Sequence, residues 1–515
     1  MKTNTGRQLR LGVILSYLSI GINMLSGLIF TPWMVSQIGD AQYGLYTLSN
    51  SLIALFVMDF GLSAATSRYV AKYNAENNQD KVNNFLGSVY KLYILIDIIL
   101  ATVFIIVYFF VDSIYVSLTP AELEQFKIVF VISAGFAVIH FPFVTLNGVL
   151  NAYERFIQLR LADIFHKIFY VVGNVIALSL GLGLYALVSI NALSGIMTIL
   201  IKLFAIKLST PVKVNMRNRE NGIYKEIFSF SIWVTLSSLA SRLIFNIVPS
   251  ILAITTTTFA IAVFGIVATI EGYAYTFSSA INGMFMPKIA RIDNKNDNEQ
   301  LQDLFSNVGR FQFGLNGLIV VGFAVVGLDF IRLWMNDSYA DAYLGIMLTI
   351  IPSMFYNCLQ IGNTTMTVRK KVNIQAIVNI SMGVINVILC VILSSVWGVI
   401  GACVAICISY SLRVIALNVI FHKVLKLNVF DFAKRCYIRS GIVIAISILA
   451  GVGLNYLLSQ TSWLWFLLKA CIVGIIYLIL TYVIALKHDE KAMLGKKIRE
   501  ILCKFTRKIK KNDTT

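Results

Sequence analysis

Residues 89–111 read VYKLYILIDIILATVFIIVYFFV, interrupted by charge only at Lys91 and Asp97. As a helix rising about 1.5 Å per residue this stretch is roughly 34 Å long, enough to cross a hydrocarbon core of about 30 Å. Stretches of the same kind lie on both sides of it. They predict helices over 11–32, 44–65, 126–149, 162–181 and 184–206, then 228–253, 259–285, 308–328, 343–366, 373–394 and 397–420, and finally 438–458 and 463–486. Mean hydropathy is +0.78, 58% of the 515 residues are hydrophobic and 13% are charged, which is more apolar surface than a soluble domain can hide. The chain is therefore expected to be an all-α polytopic membrane protein with about fourteen transmembrane helices.

A net charge of +18 would suggest a nucleic-acid partner in a soluble protein. Here the basic residues occupy alternate gaps between apolar segments, so membrane lipids are the expected partner and nucleic acid is not. If Lys2, Arg7 and Arg10 are placed inside, then Arg68, Lys72, Arg155, Arg160, Lys213, Arg217, Arg291, Arg369, Lys370, Lys371 and the lysine-rich tail fall inside too. The opposite gaps hold Asp40, Asp112, Glu122, Glu124, Asp329, Asp337 and Asp341, with Lys127 and Arg332 as exceptions. This bias predicts a multi-pass protein with both termini cytoplasmic. The first helix is too long for a signal-peptide core and is read as uncleaved. The seven cysteines and four histidines suggest neither a disulfide framework nor a metal site, and no cofactor is expected.

A polar loop at 207–226 divides the first twelve helices into two sixes. Pro32 follows Tyr17 much as Pro249 follows Trp233, and Gly148 precedes Arg155 by the spacing at which Gly362 precedes Arg369. Pro142 and Pro352 precede those glycines, and Asn174 and Asn386 each open an Asn-Val-Ile triplet. The organisation read from these matches is an N-terminal six-helix lobe at 1–206, the connecting loop at 207–226 and a C-terminal six-helix lobe at 227–420. Two additional helices follow at 421–486, and then a basic tail at 487–515. Two pseudo-symmetric bundles of like orientation are an alternating-access architecture with substrate between the lobes.

Charges inside apolar segments are expensive and mark cavities or partners. Arg242 and Glu271 lie at similar depth on consecutive helices, as a substrate site or as a structural ion pair. Asp59 and Asp97 sit near the basic ends of helices two and three, either as sites for H+ or Na+ or as partners of Arg68 and Lys91. His140, beside Pro142, is a candidate proton carrier or a residue bonded to a neighbouring helix. Lys167, Arg413 and Lys469 are expected to snorkel toward an interface, and Trp463 and Trp465 to form an aromatic belt. There is no G-x-x-x-x-G-K-[ST] motif, so an ion, potential or substrate gradient is expected as energy source.

Ile38-Gly39, Tyr43-Gly44-Leu45-Tyr46, Asp59-Phe60-Gly61-Leu62 and Arg68-Tyr69-Val70-Ala71 resemble the N-terminal signature of the Wzx-type polysaccharide flippases, a branch of the multidrug/oligosaccharidyl-lipid/polysaccharide (MOP) exporter superfamily. The resemblance implies a MATE-like fold. It also implies the substrate, an oligosaccharide on undecaprenyl pyrophosphate moved from the cytoplasmic to the outer leaflet of the inner membrane for O-antigen or capsule assembly, with other polysaccharide assembly proteins as partners. A pyrophosphate suits arginine forks, which Arg242 in the cavity and Arg68, Arg155, Arg291 and Arg369 at the cytoplasmic mouth can supply. Tyr273, Tyr275 and Tyr356 can stack on sugar faces. Two other readings stay open. One is a cation-coupled drug or metabolite exporter of the same superfamily, which would favour an acidic cavity and twelve helices. The other is a membrane polymerase or ligase, which would need a sizeable catalytic outer loop. No catalytic motif emerges, so no enzymatic activity is expected.

Overall fold

The computed structural model describes residues 5–217, 223–279, 285–295, 297–486 and 490–491. Lys2, the side chains of Arg7 and Arg10, part of the 207–226 loop and most of the basic tail lie outside the described residues. Among the described residues the regular elements are all helical. Eleven helices among the described residues are long and apolar enough to cross a membrane, or twelve when the bent pair Asp341–Asn357 and Gln360–Val368, inclined at 48°, counts as one span. Backbone proximity groups the chain into two compact units, one of residues 1–273, 344–349 and 369–416, the other of residues 274–343, 350–368 and 417–515.

The first unit is built from α1 (Thr5–Ile38), α2 (Asp40–Phe56), α3 (Leu62–Ala75), α4 (Gln79–Ile114), α5 (Pro120–His140), α6 (Thr145–Ala152), α7 (Phe156–Ser179), α8 (Gly183–Ser209), α9 (Ile223–Phe245), α10 (Val248–Thr255) and most of α11 (Thr258–Ser279). The second holds the end of α11, α12 (Met286–Asn294), α13 (Asn298–Trp334), most of α14 (Asp341–Asn357) and α15 (Gln360–Val368). Next comes α16 (Val372–Leu425), which begins in the first unit. It is followed by α17 (Val429–Ala433), α18 (Arg439–Leu457) and α19 (Trp463–Leu480).

The helices differ from the fourteen expected where a segment read as one helix is interrupted, as over 44–65, over 228–253, where α9 and α10 part at residues 246–247, and in helix four of each half. The segment expected as one helix over 44–65 is broken at residues 57–61, leaving a 17-residue α2 and a 14-residue α3, both shorter than the about 20 residues of a typical spanning helix. The break is fixed by backbone conformation. Val57, after the last turn of α2, is extended at φ −81° and ψ 94°, and Phe60 and Gly61, just before α3, have φ of 50° and 70°, in the left-handed region that only glycine enters freely. The two helices expected over 373–394 and 397–420 are the two arms of α16, which meet at Gly398, whose φ is 58°. Arg413 Nε lies 2.8 Å from Asn379 Oδ1 although 34 residues separate them. On a straight helix they would be about 51 Å apart. So α16 is a hairpin with Gly398 at its corner, and each arm is long enough to span.

Helix four of each sequence half is interrupted at a corresponding place. A 3-10 turn at Phe141–Val144, holding Pro142, separates α5 from α6, and a break at Cys358 and Leu359, six residues after Pro352, separates α14 from α15.

In the second unit, α18 and α19 pack along α13 around Val321, Val325, Val326, Val443, Val473 and Tyr477. Polar contacts fix the register. Lys469 Nζ lies 2.8 Å from Asp329 Oδ2, Tyr477 donates to the Gly314 carbonyl at 2.6 Å and Asn455 to the Val325 carbonyl at 2.6 Å. Arg310 pairs with Glu490. Lys469 and Arg413, expected to snorkel, are instead 2% and 3% exposed. Each has a bonding partner inside the helical packing, which removes the reason to reach outward.

Candidate functional site

The break between α2 and α3 is the best-built polar feature of the first unit. A helix that stops leaves its last carbonyls without intrahelical donors. At α2 this need is met by Arg242 of α9, whose guanidinium donates to the Ala54 carbonyl. A cation there also complements the helix dipole. On the far side of the break, the Asp59 carboxylate accepts from the Ser63 N–H at 3.2 Å, satisfying the start of α3, and from the Tyr93 hydroxyl at 2.9 Å. Arg242 and Asp59 thus hold the two ends of one interrupted helix. The described partner of Arg242 is a backbone carbonyl, an acceptor that a continuous helix would not offer. Glu271 is 5% exposed on α11.

Tyr43 and Tyr46 of α2, Tyr170 of α7 and Tyr273 of α11 gather close enough for their phenols to influence one another. The Tyr46 and Tyr170 hydroxyls are 3.0 Å apart, and Tyr43 is within bonding reach of Thr47 and Thr269. Two glycines make the packing possible. A Cβ at Gly44 would overlap the Thr258 carbonyl of α11, and a Cβ at Gly27 of α1 would overlap the Tyr273 hydroxyl. The sequence motif Tyr43-Gly44-Leu45-Tyr46 therefore has a physical content. Gly44 admits α11, the tyrosines flank it, and Leu45 is fully buried.

The other expected residues are spread more widely. Asp97 lies one turn beyond Tyr93 on α4, and its Oδ1 is buried without a hydrogen-bond partner. Arg155 donates to the Ser209 carbonyl at 2.7 Å, tying the α6–α7 turn to the end of α8. Arg68 is exposed beside the Tyr69 ring, and Arg369 is half-buried. Arg291, exposed on α12, and Tyr356, 7% exposed on α14, belong to the second unit. There Ser278 and Asn357 both donate to Asn316 Oδ1, at 2.6 and 3.2 Å. Tyr275, expected beside Tyr273, is 41% exposed.

His140 ends α5 with its ring 5.5 Å from that of Phe136, near a polar group that sequence reasoning missed. Lys202 Nζ of α8 lies 3.0 Å from both Asp163 Oδ1 of α7 and Asn147 Oδ1 of α6, and His166 Nε2 lies 3.3 Å from Ser194 Oγ. Asp163 lies in the first turn of its expected helix and Lys202 about one turn from the end of its own, where charges read as boundary residues. The available signal was that one is acidic and the other basic at similar depth on consecutive helices.

Over residues 9–293 the sequence matches the family model described as polysaccharide biosynthesis protein. No curated protein matches the chain. Among solved structures it is similar to the lipid II flippase MurJ in an inward closed conformation, with TM-score 0.72 and 16% identity, covering 92% of this chain and 98% of that one. It is also similar to an inward-facing multidrug resistance MATE family transporter of the MOP superfamily, with TM-score 0.67 and 15% identity over 76% and 91% of the two chains. A MOP superfamily transporter from Pyrococcus furiosus gives 0.56 and 16% over 80% and 93%. At these identities the likeness is one of fold.

Proposed function

The chain belongs to the polysaccharide biosynthesis protein family, and from that premise we propose that it is a flippase for undecaprenyl-pyrophosphate-linked oligosaccharide. It moves repeat units from the cytoplasmic to the outer leaflet of a bacterial inner membrane by alternating access, for O-antigen or capsule assembly, with both termini cytoplasmic. The observation that carries the reading is Arg242 at the interrupted α2–α3 helix. Discontinuous helices lining a pathway are where transporters hold charged ligands, and a guanidinium with one N–H committed to Ala54 keeps others for a phosphate. The tyrosine cluster supplies hydroxyls and ring faces suited to sugars. Arg68, Arg155 and Arg369 of the first unit serve as basic contacts for the pyrophosphate, and an H+ or Na+ gradient supplies the energy.

The test is translocation of a fluorescent polyprenyl-pyrophosphate oligosaccharide in vesicles holding the purified full chain. Wild type is expected to equilibrate the probe between leaflets, and Arg242→Ala to do so at least about tenfold more slowly, the loss of roughly 1.4 kcal/mol. No translocation by wild type, together with export of small organic cations, would support the exporter reading instead.

A further inference from the structure

The group at α5–α8 contains more titratable chemistry than packing requires, and the internal repeat supplies the comparison. Lys202 follows Asn174 by 28 residues and Arg413 follows Asn386 by 27, so the two cations hold corresponding places in the two halves. Each bonds a side chain on the preceding spanning segment, Lys202 to Asp163 and Arg413 to Asn379. In the second half this tie is a guanidinium and an amide, neither of which titrates near neutral pH. In the first half it is an ammonium and a carboxylate with two imidazoles beside them. Holding helix six to helix five does not need protonatable groups, since Arg413 and Asn379 do it without them.

The hydrogen bonds fix where a proton would go. Ser194 Oγ donates to the Asn191 carbonyl at 2.8 Å, so its contact with His166 Nε2 is one in which the imidazole donates. Neutral His166 therefore carries its proton on Nε2, and Nδ1 is the position for a second. Asp163 is held by Lys202 and, at 3.3 Å, by Arg160. The charged or titratable groups that act on His166 are Lys202 of α8, Asp163 and Lys167 of α7, and His140 of α5. α1, packed along α7, offers no charged residue between Arg10 and Ile38.

We propose that His166, with His140, Asp163 and Lys202, is the proton-binding site of the transport cycle, taking one exchangeable proton on the imidazole per substrate moved. The inference rests on the flippase reading for what is moved, but the proton site can be read without it. In vesicles holding the full chain, one proton exchanged per substrate shifts the equilibrium leaflet ratio of the probe about tenfold per unit of pH difference. His166→Gln keeps a donor toward Ser194 but cannot take the proton, and is expected to abolish that slope. A slope unchanged in His166→Gln, or absent in a wild type that translocates the probe, overturns the proposal. The second measurement is nuclear magnetic resonance titration of the histidine rings in detergent. His166 should titrate with a midpoint that moves in Asp163→Asn, and a midpoint that stays put overturns the site. Should wild type fail to translocate the probe, the substrate reading falls, and this titration still decides the proton site.

Discussion

Arg242 shows how far a residue's role depends on a backbone event elsewhere. A charge at mid-span was legible in the sequence, and so was its depth relative to Glu271. Its partner was not, because the Ala54 carbonyl becomes free only where α2 stops, at Val57, whose backbone turns extended. Hydrogen bonds to charged groups contribute about 1.5–3 kcal/mol, so Arg242→Met should lower thermal stability as well as transport, whereas Arg242→Lys should recover part of the stability. The glycine contacts allow a sharper test. Gly27→Ala places a methyl where the Tyr273 hydroxyl sits and should destabilise by about 1–3 kcal/mol. Adding Tyr273→Phe removes the colliding atom and should restore most of the loss. The two changes are then non-additive in a thermal double-mutant cycle, and strict additivity would mean that the contact does not exist.

At the scale of elements, apolar length located nearly every helix but not the places where a helix is interrupted. Pro142 and Pro352 lie in or just before real breaks, but the break at 57–61 contains no proline. Its signal, Asp59-Phe60-Gly61-Leu62, was visible as a family motif without revealing that Asp59 starts a new helix. By contrast, the two arms of α16 were both located by apolar length, on either side of Gly398. The C-terminal pair α18 and α19 teaches the opposite lesson. Lys469 is read as a surface residue when its helix is considered alone, but the packing on α13 places it against Asp329. Removing one partner of such a pair leaves the other charge stranded, at a cost of about 3–5 kcal/mol when both are buried. Asp329 is 18% exposed, which places the expected loss at the lower end. Lys469→Met should therefore lower the unfolding temperature clearly, and Lys469→Met with Asp329→Leu should recover it. Equal unfolding temperatures for wild type and Lys469→Met would remove the pair from the account.

For the whole molecule, the all-helical multi-pass class and the superfamily fold follow from composition, apolar spacing and the motifs between Ile38 and Ala71. The chemical arrangement follows less directly. The tyrosine cluster joins helices two, five and eight, and the group around Lys202 joins four to six. Such groupings are set by packing between distant segments, which spacing along one chain does not encode. The central claim is that this arrangement carries a lipid-linked oligosaccharide across the membrane. Its most direct test is leaflet-resolved detection of polyprenyl-pyrophosphate oligosaccharide in cells lacking this protein and redundant flippases, with wild type or Arg242→Ala reintroduced. The account predicts accumulation in the cytoplasmic leaflet, relieved by wild type and not by Arg242→Ala at equal protein level. An unchanged leaflet distribution in the absence of the protein would contradict it.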